Sequence, residues 1–217
     1  IHLDAGAIVS RFKDVTLRHV GSAATLSIAE LPLTPFQTIG KRVFDFTGAA
    51  ICLAIAAPIM ALIALAIRLD TGGPVLFKQS RSGFNRHRFT IYKFRTMTTA
   101  DDGPVIEQAK ANDARITRIG GFLRRTNLDE LPQLFNVLKG EMSLVGPRPE
   151  RPFFVEQLTA QIPYFAARHS VKPGVTGWAQ VRYQYGSTIE DSQEKLQFDL
   201  YYVKNHSLFL DVVILFE

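Results

Sequence analysis

The stretch Phe46 to Ile67, FTGAAICLAIAAPIMALIALAI, carries no charged residue over 22 positions. About 20 such residues span the hydrocarbon core of a bilayer, so no other segment of this chain restricts its folding as much. A cleaved leader is not expected, because the run lies well inside the chain and a long basic stretch follows it. Pro58 falls near its middle. Proline removes a helical hydrogen bond and costs about 3 kcal/mol in a helix interior, so a break is expected there. The two pieces, Phe46 to Ala57 and Ile59 to Ile67, would reach about 18 and about 14 Å, against a hydrocarbon thickness of about 30 Å.

Charge flanks the run on both sides. Lys41 and Arg42 precede it; Arg68, Lys78, Arg81, Arg86, Arg88, Lys93 and Arg95 follow, with no acid between Thr71 and Ala100. Lys and Arg favour the cytoplasmic face of a bacterial-type membrane. Both ends satisfy that preference if the segment enters and returns on one face, and a re-entrant helix-break-helix hairpin over about 43–69 is the expectation. A kinked transmembrane helix and a buried helix of a soluble core are the alternatives.

The chain has 217 residues, 47% of them hydrophobic, which excludes wholesale disorder, and no 20-to-50-residue period marks a repeat architecture. The single cysteine, Cys52, excludes a disulfide framework and a cysteine zinc cage. A net charge of +5 points to an anionic partner: nucleic acid, a phospholipid surface or a phosphorylated small substrate. No nucleic-acid recognition motif accompanies that charge, so no nucleic acid is expected.

Residues 1–40 contain short alternating stretches, Val15 to Leu17 and Ala24 to Ile28, followed by Leu31 to Pro35; they read as strands and a linker. Because the chain begins at Ile1, an upstream portion is expected. Val75 to Phe77 and Phe89 to Tyr92 read as a hairpin around Ser82 to Asn85, and Ala100 to Ala114 as a surface connection. Leu131, Leu134, Phe135 and Leu138 recur at helical spacing before Lys139-Gly140, which predicts about three turns of helix from near Leu128, capped by Asn127 or Asp129. A helical segment between Phe153 and Ala167 broken at Pro163, and another over Glu194 to Tyr202, complete the pattern. The fold class is therefore α+β: the membrane hairpin plus a small cytosolic helical domain with a short β-hairpin.

Asp129 and Glu130 fall at the predicted helix start, where free amides favour carboxylates and phosphate alike. Neighbours on a helix do not face each other, so the two acids should take different partners. One could attack or position a phosphorus while the other holds a hard divalent cation; a cap and an exposed first-turn acid explain the same spacing. Arg115, Arg118, Arg124 and Arg125 lie upstream, and Arg148 sits between Pro147 and Pro149. Guanidinium forks match phosphate oxygens, and the flanking prolines hold Arg148 extended. Asp101-Asp102 reads as a loop pair. The five histidines, His2, His19, His87, His169 and His206, have no ligand spacing, and no Walker, Rossmann, nucleophile-elbow or zincin motif is present.

The ordered set KRVFDFTG, the proline-broken apolar run, IYKFRTM, RRTNLDELPQLFNVLKGEMSLVGPRPE and VKPGVTGWAQV resembles the monotopic phosphoglycosyl transferases, bacterial enzymes that start glycan assembly on a polyprenol carrier. The resemblance implies a tail of an upstream module over 1–40 and a catalytic domain over 41–217. It implies that Asp129 attacks the β-phosphorus of a UDP-sugar and expels UMP. Polyprenol phosphate, as undecaprenyl phosphate, then takes the sugar-phosphate from the aspartate. By the same resemblance Glu130 holds Mg²⁺, Arg124 meets the polyprenol phosphate, Arg148 the nucleotide, and Pro147, Pro149, Lys93 and Arg95 join the substrate-binding set. The implied place is the cytoplasmic face of the bacterial inner membrane, monotopic and in contact with its lipid. The sequence does not identify the sugar; the resemblance to exopolysaccharide-type members suggests glucose or galactose, and a second copy of the chain is a candidate partner. One departure stands out: many relatives have serine before the break proline, and here Ala57 precedes Pro58. The competing reading is a non-catalytic module that holds anionic lipid.

Overall fold

A computed structural model describes the backbone of residues 16–20 and 23–27, and residues 33–98, 113–183 and 188–217 with their side chains. The Asp101-Asp102 pair and most of the polar connection around it lie outside the described residues. Strands β1 (Thr16–Val20) and β2 (Ala23–Ser27) pair antiparallel, as the alternating pattern at the start of the chain predicts.

Helix α1 runs from Pro35 to Thr71, 37 residues, and starts eight positions before the expected hairpin. A capping box sets its start: the Thr34 hydroxyl accepts from the Gln37 amide at 3.3 Å, and the Gln37 side chain accepts from the Thr34 amide at 2.8 Å. Pro35 fits the first turn, where its missing amide proton is no loss. Gly72, at φ 64°, ends the helix in the left-handed conformation that glycine adopts without strain. Helical structure continues through Pro58, so the expected interruption into two pieces is not present. A single missing hydrogen bond is carried by the well-capped turns on either side.

Both halves of α1 pack on one body. Ala49 is fully buried and, with Leu53, joins a core containing Ile91, Leu134, Val137, Met142 and Leu144. Met60, Ile63, Ala64 and Ile67 join a second core with Phe94, Leu123, Leu128 and Leu131. The other faces stay bare: Ile51, Ile55, Ile59, Leu62 and Leu65 are each about half or more exposed. Only 11% of the residues in the most apolar stretch of α1 are buried, unlike the core helix of a soluble protein, and its length and composition suit a membrane.

The N-terminal half is clasped by charge. Lys41 Nζ lies 2.6 Å from Asp45 Oδ1 and 2.9 Å from Asp211 Oδ2, all three residues buried. Asp45 also accepts from Ser143 Oγ and the Leu144 amide, each at 3.1 Å, and Asp211 accepts from the Tyr202 hydroxyl at 2.6 Å. Arg42 donates to the carbonyls of Val137 and Leu138, both at 2.6 Å, capping the C-terminal end of α3 (Gln133–Lys139). The two basic residues that read as a membrane flank are thus also the pins that hold α1 to the domain.

Strands β3 (Leu76–Ser82) and β4 (Arg88–Phe94) form the predicted hairpin, closed by Asn85 and Arg86 at positive φ. Helix α2 (Arg118–Arg125) is capped by Thr117, whose hydroxyl accepts from the Gly120 amide at 2.9 Å. A Cβ on Gly120 would stand 2.1 Å from the Thr96 carbonyl, so only glycine lets α2 lie this close to the end of β4. After α3 ends at Gly140, φ 86°, come β5 (Ser143–Val145), α4 (Pro152–Gln161), β6 (Gly174–Thr176), α5 (Trp178–Arg182), α6 (Ile189–Asn205) and α7 (Leu208–Leu215). Strands β5 and β6 pair in parallel.

Candidate active site

Asp129 and Glu130 lie on one 3₁₀ turn, Leu128–Glu130, not at the start of an α-helix as the periodicity predicts. Pro132 is the reason. A helix begun at Leu128 would need an amide proton at position 132 to reach the Leu128 carbonyl, and proline has none. The chain instead makes a tight bond from Leu131 to Leu128 at 3.3 Å, and α3 starts only at Gln133, its first turn closed by bonds from Leu134 to Leu131 and from Phe135 to Pro132, both at 3.1 Å. Asn127 enters the turn at φ 55° and makes no side-chain cap. Leu128 and Leu131, on either side of the acids, sink into the second core and hold the turn against α1, α2 and β4.

The acids take different partners. Glu130 Oε1 accepts from Lys93 Nζ at 2.7 Å and from Arg148 Nη2 at 2.5 Å, while Oε2 accepts from Arg148 Nη1 at 3.2 Å. Burial alone would raise its pKa; Arg148 and Lys93 outweigh that and hold it at about 2. Asp129 moves the other way. Burial raises it above the ordinary aspartate value, the Glu130 charge adds to the rise, and Lys93 and Arg124 oppose it. The two neighbouring carboxylates are thus pushed apart: Glu130 ionised beside its cations, Asp129 more basic than an ordinary aspartate.

Arg148 projects from a rigid loop. Pro147 and Pro149 are buried on either side of it. The Gly146 amide donates to Thr176 O at 2.9 Å and the Gly174 amide to Pro147 O at 3.0 Å, so β6 fastens the loop along its length. A Cβ on Gly174 would lie 2.1 Å from the Gly146 nitrogen, which explains the glycine in VKPGVTG. Two arginines complete the brace: Arg81 donates to Pro149 O at 3.1 Å, and Arg168 to Arg148 O at 3.0 Å. Arg168 is itself held by Asp199 of α6 at 2.7 Å, both side chains almost fully buried.

Of the residues expected from sequence, Lys93, Glu130, Arg148, Pro147 and Pro149 come together around one point, with Asp129 on the same turn. Arg124 sits in the last turn of α2, near enough for its charge to act on Asp129. Arg95 does not join them; its guanidinium turns to the Thr71 hydroxyl at the end of α1. Arg81, Arg168 and Asp199 were not singled out from sequence. Their partners lie 68, 20 and 31 residues away in the chain, and no local spacing betrays them.

The donor set suits a hard cation. Asp129 and Glu130 offer carboxylate oxygens, and Mg²⁺ commonly takes one or two carboxylates plus substrate phosphates. No cluster of three or more His, Cys, Asp or Glu side chains that could hold a metal occurs among the described residues.

The family model for bacterial sugar transferases matches residues 36–217. The chain is 44% identical over 184 residues to the UDP-N-acetylgalactosamine-undecaprenyl-phosphate N-acetylgalactosaminephosphotransferase of Aeromonas hydrophila, covering 85% of this chain and 44% of that protein. It is 40% identical over 202 residues to the UDP-glucose:undecaprenyl-phosphate glucose-1-phosphate transferase of Escherichia coli K12, covering 92% and 44%. It therefore spans less than half the length of these relatives. The exopolysaccharide production protein PSS of Rhizobium leguminosarum is 45% identical over 185 residues, and there the match covers 81% of this chain and 91% of the relative. A match of this extent, over the clasp, the apolar helix, the acid pair and the arginine loop together, makes the chain a member of the bacterial sugar transferase family.

Proposed function

We propose that this chain transfers a sugar-1-phosphate from a UDP-sugar to a polyprenol phosphate at the cytoplasmic face of a bacterial membrane, releasing UMP. The observation that carries the reading is the split acid pair, Asp129 basic and Glu130 held at about 2, beside Lys93 and Arg148 on the body that grips the long apolar helix. Two relatives are named for transfer to undecaprenyl phosphate, and a third for exopolysaccharide production. A module that merely held anionic lipid would have no use for a half-buried carboxylate raised in basicity beside paired cations.

In the first half-reaction a carboxylate oxygen of Asp129 attacks the β-phosphorus. The Asp129 O–P bond forms, the bond from that phosphorus to the bridging oxygen breaks, and UMP leaves with the electron pair. In the second, an oxygen of the polyprenol phosphate attacks the same phosphorus and the O–P bond to Asp129 breaks, regenerating the carboxylate. Arg148 and Lys93 offset the charge of the diphosphate, and Arg124 receives the acceptor's phosphate. Mg²⁺, held by Glu130 with Asp129 close by, would neutralise charge on the diphosphate. The catalytic part is residues 41–217.

Incubated with a panel of UDP-sugars, undecaprenyl phosphate and Mg²⁺, the enzyme should yield UMP with at least one sugar, and the panel identifies which. Release of UDP, or no nucleotide release with any member, would reject the reading.

The hairpin topology belongs to the same proposal. Basic residues at both ends and the packing of both halves of α1 on one body favour entry and return on the same face, with a bend at Pro58 in place of a full break. With Cys52 replaced by serine, single cysteines introduced at Gln37 and Leu69 should both react with an impermeant maleimide added from the cytoplasmic side. Labelling of the two from opposite sides would establish a spanning helix.

A further inference from the structure

Strand β4 pairs with β3 alone among the described residues, which leaves backbone groups along its other edge to be satisfied. Asn136 of α3 satisfies two of them. Its side chain is fully buried; Oδ1 accepts from the Tyr92 amide at 3.1 Å, and Nδ2 donates to the Thr90 carbonyl at 2.7 Å. One side-chain amide thus binds the carbonyl and the N–H on either side of Ile91, as the peptide groups of a third strand would. The other Nδ2 proton goes to Glu141 Oε2, also at 2.7 Å. Gly140, at φ 86°, turns the chain back after α3 so that Glu141 can reach, and the Glu141 and Met142 amides both donate to the Asn136 carbonyl, at 3.0 and 3.2 Å.

These contacts bear on the site through the chain itself. Asn136 follows Glu130 by six residues, and the bonds from Leu134 to Leu131 and from Phe135 to Pro132 join the acid turn to α3 without a gap. Tyr92 immediately precedes Lys93, whose ammonium lies 2.7 Å from Glu130. The two partners of that ion pair therefore ride on elements that Asn136 locks to each other. Ile91, Leu134 and Val137 also pack between them, but apolar contact has no direction and sets no register. We infer that Asn136, itself oriented by Glu141, is a positioning residue: it sets the register of α3 against β4 and so places the Lys93 ammonium beside Glu130, where the diphosphate is received. The inference rests on the transferase reading and deepens it, adding two residues that touch no substrate.

Exchange of labelled UMP into UDP-sugar needs no acceptor and reports the first half-reaction alone. Asn136→Asp keeps the side chain's shape and its bond from the Tyr92 amide, but sets an oxygen against the Thr90 carbonyl and the Glu141 carboxylate, so α3 must shift on β4. In detergent micelles the KM for UDP-sugar in the exchange should rise about threefold to tenfold, the worth of one hydrogen bond, while the KM for undecaprenyl phosphate in the complete reaction changes by less than about twofold. A lower kcat with both KM values unchanged is what a smaller folded fraction produces, and it would reduce Asn136 to packing and overturn the inference. If Asn136→Asp does not fold, Glu141→Ala decides. That variant leaves both bonds to β4 but takes away the acceptor that orients Nδ2, and it should raise the UDP-sugar KM by about twofold to threefold, with the normal value kept in Glu141→Gln, which still offers an acceptor. An unchanged KM in Glu141→Ala then overturns the inference while the transferase stands. Absence of exchange from the unsubstituted enzyme overturns the covalent reading itself, and the positioning role with it.

Discussion

Asp129→Asn should abolish UMP release, lowering kcat by about 10⁴-fold or more, as removal of a covalent nucleophile does. The amide is nearly the same shape as the carboxylate but cannot form the phosphoryl ester. Folding should survive, because the cations of the site are anchored on Glu130 and the turn is held by Leu128 and Leu131. Stability at neutral pH should in fact rise slightly. Burial raises the Asp129 pKa above its unfolded value, so its charged form is less favourable in the folded protein, and the cost is present above the unfolded pKa. Asparagine removes that cost. The pH profile gives a second, independent signature. The first half-reaction should fail on the acid side as Asp129 protonates, with a midpoint above 3.8, the ordinary aspartate value. Since the Glu130 charge contributes to the rise, Glu130→Gln should move that limb to lower pH in whatever activity remains, measured as the amplitude of the UMP burst. Undiminished turnover by Asp129→Asn, or an acid limb that ignores Glu130→Gln, would remove Asp129 from its role.

What the sequence made legible was local. The apolar run, the hairpin around Ser82 to Asn85, the stop at Gly140 and the break at Pro163 each follow from side-chain chemistry within a few residues, and each stands in the fold. The start of α1 was written just as plainly, in the Thr34 and Gln37 capping box, but hydropathy draws the eye to the uncharged core of the run and passes over its polar first turns. The site divided in the same way. Lys93 and Arg95 alternate as strand residues sharing a face would, yet β4 ends at Phe94 and Arg95 turns off to Thr71. The helix read as starting at Leu128 failed on one absent amide proton, and with it went the expectation that a helix dipole steadies the acids; Lys93 and Arg148 steady Glu130 instead. Long-range partners were out of reach. Lys41 and Asp211 are 170 positions apart, and nothing near either residue announces the other. The roles of KRVFD and VKPGVTG, one clasping α1 and the other fastening the arginine loop, became physical statements only when those distant contacts were in view.

Cutting the buried pair between Arg168 and Asp199 should produce the largest loss of stability of any single substitution near the site. Their side chains are 8% and 3% exposed and 2.7 Å apart. Asp199→Ala leaves a guanidinium in the interior without its counter-ion, a change that costs about 3–5 kcal/mol. The same arginine donates to the Arg148 carbonyl, so lost stability and a loosened loop are entangled in that variant. A paired replacement separates them. Arg168→Met with Asp199→Leu removes both charges and fills the space, and replacing a buried ion pair by apolar groups is often neutral or stabilising. Denaturant unfolding should therefore return close to that of the unsubstituted protein. The Arg148 carbonyl still lacks its donor, however, and Arg148 must meet the diphosphate from a less constrained loop. The KM for UDP-sugar should stay raised by about threefold to tenfold, the worth of one hydrogen bond, while the acceptor KM changes little. Recovery of both stability and UDP-sugar KM in the double variant would reduce the pair to packing. Recovery of stability alone makes Arg168 the residue through which α6 sets the position of Arg148, and so joins the far side of the domain to the phosphate site.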